Sequence, residues 1–178
     1  MKFEILNRAV RYQGRAFSVE DVTVRLPDGG QAIYNLVEHT GSVSIVPVDD
    51  EGNLLFVRQY RLGVLDELLE LPAGTKPAGE DPLDCAAREV REETGMAAGE
   101  MILLGDFYLA PGYSSERMFV YLARGLRYDP LAHDADEFLQ LVKISVDEAY
   151  AMALRGELRD SKSLASLLLA LPYLKPKL

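Results

Sequence analysis

The chain alternates between short apolar runs punctuated by Gly, Pro and Asp and a few stretches with helical spacing. Phe17-Ser-Val-Glu-Asp-Val-Thr-Val-Arg-Leu26 reads as a strand, Pro27-Asp28-Gly29-Gly30 as a turn, and residues 31–38 as the partner strand. Residues 42–48 and 54–59 are apolar runs split by Asp49-Asp50-Glu51-Gly52-Asn53, and they read as a core hairpin. Residues 64–69 lead into Glu70-Leu71-Pro72, and strands are predicted over 101–108, 117–123 and 138–144.

Helices are marked by their ends. Asp81 can cap free backbone N–H groups and Pro82 suits a first helical position, while Gly95 suits a left-handed stop. This predicts a helix over about 82–94. A second opens at Val146-Asp147-Glu148 and runs to about 155, stopped by Gly156; a last one, capped by Asp160 or Ser161, runs to about 170. Strands with two or three helices predict an α/β (α+β) chain, an α/β/α sandwich around a mixed sheet with an N-terminal β-hairpin extension. We expect the extension over 1–40 and the main domain over 41–178.

Composition narrows the class. The chain has 178 residues, 48% of them apolar, enough for one domain with a substantial core. Its net charge of −9 argues against non-specific binding to nucleic acid or an anionic membrane, and a polyanionic substrate would need cations at its site. Cys85 is the only cysteine, so no internal disulfide forms; beside alanines it reads as a small buried thiol. There is no signal-peptide pattern and no apolar run long enough to span a membrane, the longest, 164–171, being interrupted by Ser166. A cytoplasmic location is the default expectation.

The candidate chemistry lies between Gly74 and Met96, which enclose Glu80, Asp81, Asp84, Glu89, Glu92 and Glu93. On the predicted helix, Glu89, Glu92 and Glu93 are spaced three and four apart and share one face. Like charges so placed repel. Arg88 can pair with Glu92 and Arg91 can screen the cluster, which alone would make this a solvated acidic helix. A cation is the other solution, and clustered carboxylates suit Mg²⁺, which often bridges to substrate phosphates. Leu83, Ala86, Ala87 and Val90 lie on a neighbouring face that can pack on a sheet.

Gly74, Glu80, Arg88, Glu89, Val90, Glu92, Glu93, Gly95 and Met96 together match the pattern Gly-x5-Glu-x7-Arg-Glu-U-x-Glu-Glu-x-Gly-U, where U is bulky and apolar. The chain therefore resembles the Nudix hydrolases. Val57-Arg58-Gln59-Tyr60-Arg61, Glu70-Leu71-Pro72-Ala73-Gly74, Pro111 and, more weakly, Asp160-Ser161-Lys162-Ser163 resemble segments of the ADP-ribose pyrophosphatase subfamily. The resemblance covers roughly residues 10 to 172. It implies Mg²⁺-dependent (or Mn²⁺- or other divalent-cation-dependent) hydrolysis of ADP-ribose to AMP and ribose 5-phosphate, in a homodimer formed through the N-terminal segment. Another nucleoside-diphosphate-sugar hydrolase, acting for example on GDP-mannose, is the nearest alternative; a non-catalytic ADP-ribose sensor is a more distant one.

The resemblance also implies roles. Glu89 and Glu93 are expected to ligate the metal with the Ala73 carbonyl, Glu92 completing that site or holding a second ion. Glu80 would orient the loop, and Arg88 would pair with a glutamate of the motif. The general base is expected in the acidic run 133–137, at Glu137 first, with Asp136 and Asp134 behind it; Glu116 is a second candidate, for metal or ribose. Arg58 is expected to bind phosphate or ribose, Glu70 to accept from ribose or adenine, and Tyr113, near Pro111, to stack on a base. His39 and His133 lack ligand spacing.

Overall fold

The structure is a computed structural model and describes residues 2–132 and 138–175. Its first element was not expected. Strand β1 (Glu4–Gln13) pairs antiparallel with β2 (Phe17–Arg25), which pairs antiparallel with β3 (Gln31–His39). The expected hairpin is thus the second and third strands of a three-stranded sheet. An isolated hairpin is marginal in water, and a third strand satisfies the other edge of β2. β1 is mostly exposed, which is why its sequence lacks an apolar pattern.

The body of the protein is built on β4 (Ser42–Pro47), buried at all six positions. β4 lies between β7 (Ala73–Thr75), antiparallel, and β10 (Arg117–Arg124), parallel, with β9 (Glu100–Tyr108) outermost beside β10. A second sheet places β5 (Asn53–Arg61) between β12 (Leu139–Ser145) and β6 (Asp66–Glu70). Two short strands, β8 (Met96–Ala97) and β11 (Arg127–Tyr128), pair with each other.

The expected core hairpin between 42–48 and 54–59 does not form. β4 and β5 belong to different sheets, and among the described residues the two runs pair only through the Val48–Leu54 bridge beside their turn. The Asp49 carboxylate closes that turn, accepting from the Asn53 N–H at 2.8 Å, and Gly52 takes the positive φ of 80°. Both runs are mostly apolar, Ser42 and Ser44 and the Arg58–Gln59 end apart, because each is an inner strand covered on both faces.

Three helices cover the sheets. α1 (Pro82–Thr94) begins and ends as its sequence predicts: the Asp81 side chain accepts from the Leu83 N–H, and Gly95 adopts φ 73° and donates to the Arg91 carbonyl. Its Cys85, Ala86 and Val90 pack on Val43 and Ile45 of β4 and on Tyr121 and Ala123 of β10. The opposite faces, Val46, Val120 and Leu122, meet Phe56, Leu71, Ala149, Leu158, Leu167 and Ala170. Those last residues belong in part to α2 (Val146–Leu154) and α3 (Ser161–Leu174), so the mixed sheet lies between helical layers as expected. α3 runs past 170 and contains Pro172, whose lost bond is tolerated because Leu174 still packs on the core. No helix among the described residues is long and apolar enough to cross a membrane.

The N-terminal sheet is joined to the body through the loop between β9 and β10. The Val37 N–H donates to the Tyr113 carbonyl at 2.8 Å, the Ser115 N–H to the Val37 carbonyl at 3.0 Å, and the His39 N–H to Ser115 Oγ at 2.9 Å.

Candidate active site

Helical spacing places Glu89, Glu92 and Glu93 together, and burial then separates them. Glu89 and Glu93 are 8% and 6% exposed, whereas Glu92 reaches further into solvent. Arg88 holds the outer part of the cluster. Its Nη1 donates to Glu89 at 2.8 Å and to Glu92 at 2.7 Å, while Nη2 and Nε reach the two oxygens of Glu80 at 3.2 and 3.3 Å. Burial pulls the Arg88 guanidinium down, but its carboxylates outweigh this and hold it above the usual arginine range. The same contact keeps Glu80 below the usual carboxylate range. Arg88 therefore fills the pairing role expected of it, and it also fixes the front of the loop through Glu80.

The inner carboxylates grip the strand beside them. The Ala73 N–H donates to Glu93 Oε2 at 3.2 Å. Gly74 lies directly against Glu89: a Cβ there would sit 2.0 Å from the Glu89 carboxyl carbon. Any side chain at position 74 would displace that carboxylate, so glycine is required by contact rather than by φ.

Two clefts adjoin across Gly74 and Thr75, and Gln59 lines both. The larger, about 790 Å³, is bounded by Arg15, Thr40, Arg88, Glu89 and Glu92. The smaller, about 410 Å³, is bounded by Arg61, Glu70, Glu93, Glu116 and Lys162. The paired glutamates thus stand where two clefts adjoin. Among the described residues no three His, Cys, Asp or Glu side chains converge into a complete metal cage. Mg²⁺ can bind with only one or two carboxylates plus substrate phosphates, so the buried Glu89 and Glu93 suffice as protein donors. Buried carboxylates at the mouth of a groove, beside the Ala73 backbone, are a suitable donor set.

Other expected residues fall in and out of this groove. Glu116 lies in the smaller cleft and accepts from Ser42 Oγ at 2.8 Å. Glu70 is there too, but it is 1% exposed and its oxygens are engaged: Oε1 accepts from Arg61 Nε at 2.8 Å, and Oε2 accepts from Arg61 Nη2 at 2.6 Å and from Lys162. Burial pushes its carboxyl up, and these cations outweigh that and hold it below the usual range. This makes Glu70 a support for Arg61 instead of an open acceptor for ribose or adenine. Arg58 lines neither cleft; Gln59 and Arg61 do, because alternate residues of β5 face opposite sides. Pro111 and Tyr113 sit in the exposed loop before β10 and line neither cleft, Tyr113 being bound through its backbone to β3. Glu137, Asp136, Asp134 and His133 lie outside the described residues. His39 Nδ1 accepts from the Gly41 N–H at 3.0 Å. Cys85 is buried, its thiol pushed up to about 12 by burial and by Glu80.

Sequence reading did not single out Arg61, Gln59, Arg15 or Lys162. Lys162 carried a usable signal, since a lysine in the first turn of a helix opposes the dipole. Arg61 carried none that would set it above Arg58.

Comparison with known proteins follows the same line. The NUDIX domain profile matches residues 38–167. An ADP-ribose pyrophosphatase of Mycobacterium tuberculosis is 41% identical over 169 residues, covering 93% of this chain and 82% of that protein. A methanol dehydrogenase activator of Bacillus methanolicus is 32% identical over 166 residues, covering 92% and 88%. A crystal structure of an ADP compounds hydrolase superposes with a TM-score of 0.86 at 27% identity, covering 99% of this chain and 96% of that one.

Proposed function

The chain belongs to the Nudix family, and from that premise we propose that it hydrolyses the diphosphate bond of ADP-ribose to AMP and ribose 5-phosphate with Mg²⁺. One observation carries the reading: Glu89 and Glu93 meet the backbone of Ala73 and Gly74 where two clefts join, with Arg61 on one side and Arg88 on the other. An extended diphosphate laid across that junction presents its phosphates to the carboxylates and its two ends to the two clefts.

Members of the family generally use divalent cations. Here Glu89, Glu93 and the Ala73 carbonyl are the residues that would hold Mg²⁺, with Glu92 completing the set. Bound there, the ion supplies neutralisation of the phosphate oxygens and polarisation of the attacking water. The chain's own groups do the rest. Arg61, held by Glu70 through Nε and Nη2, offers the rest of its guanidinium to phosphate oxygen. Water adds to phosphorus, the bridging P–O bond breaks, and a carboxylate takes the proton from the water. We assign that carboxylate to Glu137, with Glu116 as the candidate within the described groove. General-base help of this kind contributes about 10²–10⁴-fold.

The N-terminal sheet is proposed as the dimer interface. Cross-strand register puts Ile5, Val10 and Tyr34 on one face around Val22 and Val24, and all three are more than half exposed in the single chain. This exposed face, which also carries the Arg8–Glu20 and Arg8–Glu38 ion pairs, suits association between copies.

The test is product release from ADP-ribose, GDP-mannose, NADH and diadenosine polyphosphates, with and without Mg²⁺. Metal-dependent release of AMP from ADP-ribose, in preference to the others, is expected. Cleavage of GDP-mannose alone would move the activity to another nucleotide sugar. Binding of ADP-ribose without cleavage would make the protein a sensor.

A further inference from the structure

We propose that Lys162 is a positioning residue: it shares Glu70 with Arg61 and so sets the Arg61 guanidinium toward the substrate diphosphate. The inference rests on the diphosphate-hydrolysis reading above.

Lys162 is 9% exposed and lies in the first turn of α3. Both the helix dipole and loss of water oppose an ammonium there. The helix does not need it. Asp160 already caps α3, its Oδ2 accepting from the Ser163 N–H at 3.0 Å and from Ser163 Oγ at 2.5 Å. Lys162 instead donates to that same Oδ2 at 2.9 Å and to Oε2 of Glu70. The Ser163 hydroxyl in turn accepts from the Leu71 N–H at 2.7 Å, which ties this turn to the strand entering Ala73 and Gly74.

Charge decides what Lys162 does. Glu70 and Asp160 are two carboxylates in the cleft wall, faced by two cations, Arg61 and Lys162. Arg61 is the more open cation, its side chain 40% exposed against 11% for Lys162. Both engage Oε2 of Glu70, Arg61 through Nη2, while Arg61 Nε donates to Oε1. With Lys162 neutralised, Arg61 alone would face Glu70 and Asp160, with Glu93 and Glu116 in the same cleft. Its fork would be drawn into the wall and away from Glu93 and the groove.

The test is steady-state kinetics with ADP-ribose at saturating Mg²⁺. Lys162→Met is expected to raise KM about tenfold while kcat stays within about threefold, and in an Arg61→Ala background the same substitution should change KM by less than about twofold. Lys162→Arg, which keeps the charge, should restore KM to within about threefold of wild type. Lys162→Gln is the second variant if Met prevents folding, since its amide still donates to Glu70 without the charge; it must show the same split. Unchanged KM, or an equal rise in both backgrounds, overturns the proposal. Calorimetric titration with ADP supplies the same comparison without hydrolysis. Should the wild type bind ADP yet not cleave ADP-ribose, the substrate reading fails while the role of Lys162 is still decided by the ADP titration. Failure of the wild type to bind ADP would overturn both.

Discussion

Among single side chains, Glu93 is where the proposed metal site is most directly tested. It is buried, it accepts from the Ala73 N–H, and it faces the smaller cleft one turn away from Glu89. Glu93→Gln keeps the size and the acceptor while removing the charge. Its turnover of ADP-ribose should fall by more than the roughly 10–100-fold that loss of an outer-shell partner costs, with the melting temperature within a few degrees of wild type. Near-normal turnover would remove Glu93 from the metal site. These glutamates were legible in the sequence because helical spacing is local: three and four residues apart means one face wherever the helix lies. Arg61 was not legible. Arg58 and Arg61 stand on opposite faces of β5, and only the neighbouring sheet and α3 decide which face borders the groove. The engagement of Glu70 was hidden for the same reason, since Lys162 lies 92 positions further along the chain.

Elements followed the same division between local and distant causes. The ends of α1 were readable from Asp81, Pro82 and Gly95, each acting on backbone within one turn. Strand pairing was not, because it depends on partners far along the chain. The runs at β4 and β5 look like a hairpin, yet β4 takes β10 as its parallel neighbour, pairing Ser42 with Met118 and Pro47 with Ala123. β1 escaped because an exposed edge strand needs no apolar alternation. The N-terminal sheet it completes carries a prediction of its own. Tyr34→Glu places a charge in the patch formed with Ile5 and Val10, and it should shift the protein from dimer to monomer in sedimentation equilibrium. A wild type already monomeric at micromolar concentration would rule the interface out.

As a whole the molecule is acidic, and its groove mixes cations with the carboxylates of Glu70, Glu89, Glu92, Glu93, Glu116 and Asp160. Against a net charge of −9, Arg15, Arg61, Arg88 and Lys162 all border the two clefts. The groove also lies where the layers meet: α1 covers one face of the central sheet, α3 the other, and the strand between them carries Ala73 and Gly74. Cys85 sits under this junction, buried against Val43 and Ile45 and within 3.4 Å of Arg88 Nη2. Its thiol keeps its proton to about pH 12 when folded and releases it near 8.5 when unfolded. The stability this contributes is therefore present below pH 8.5 and is lost as pH rises toward 12. The sole cysteine is thereby a clock for motion. A thiol reagent can reach it only when α1 lifts, so at neutral pH the labelling rate counts openings of the helix that holds the glutamates. Native protein should label far more slowly than the denatured chain, and Mg²⁺ with AMP should slow it further; labelling as fast as the denatured chain would mean that the helix is rarely seated.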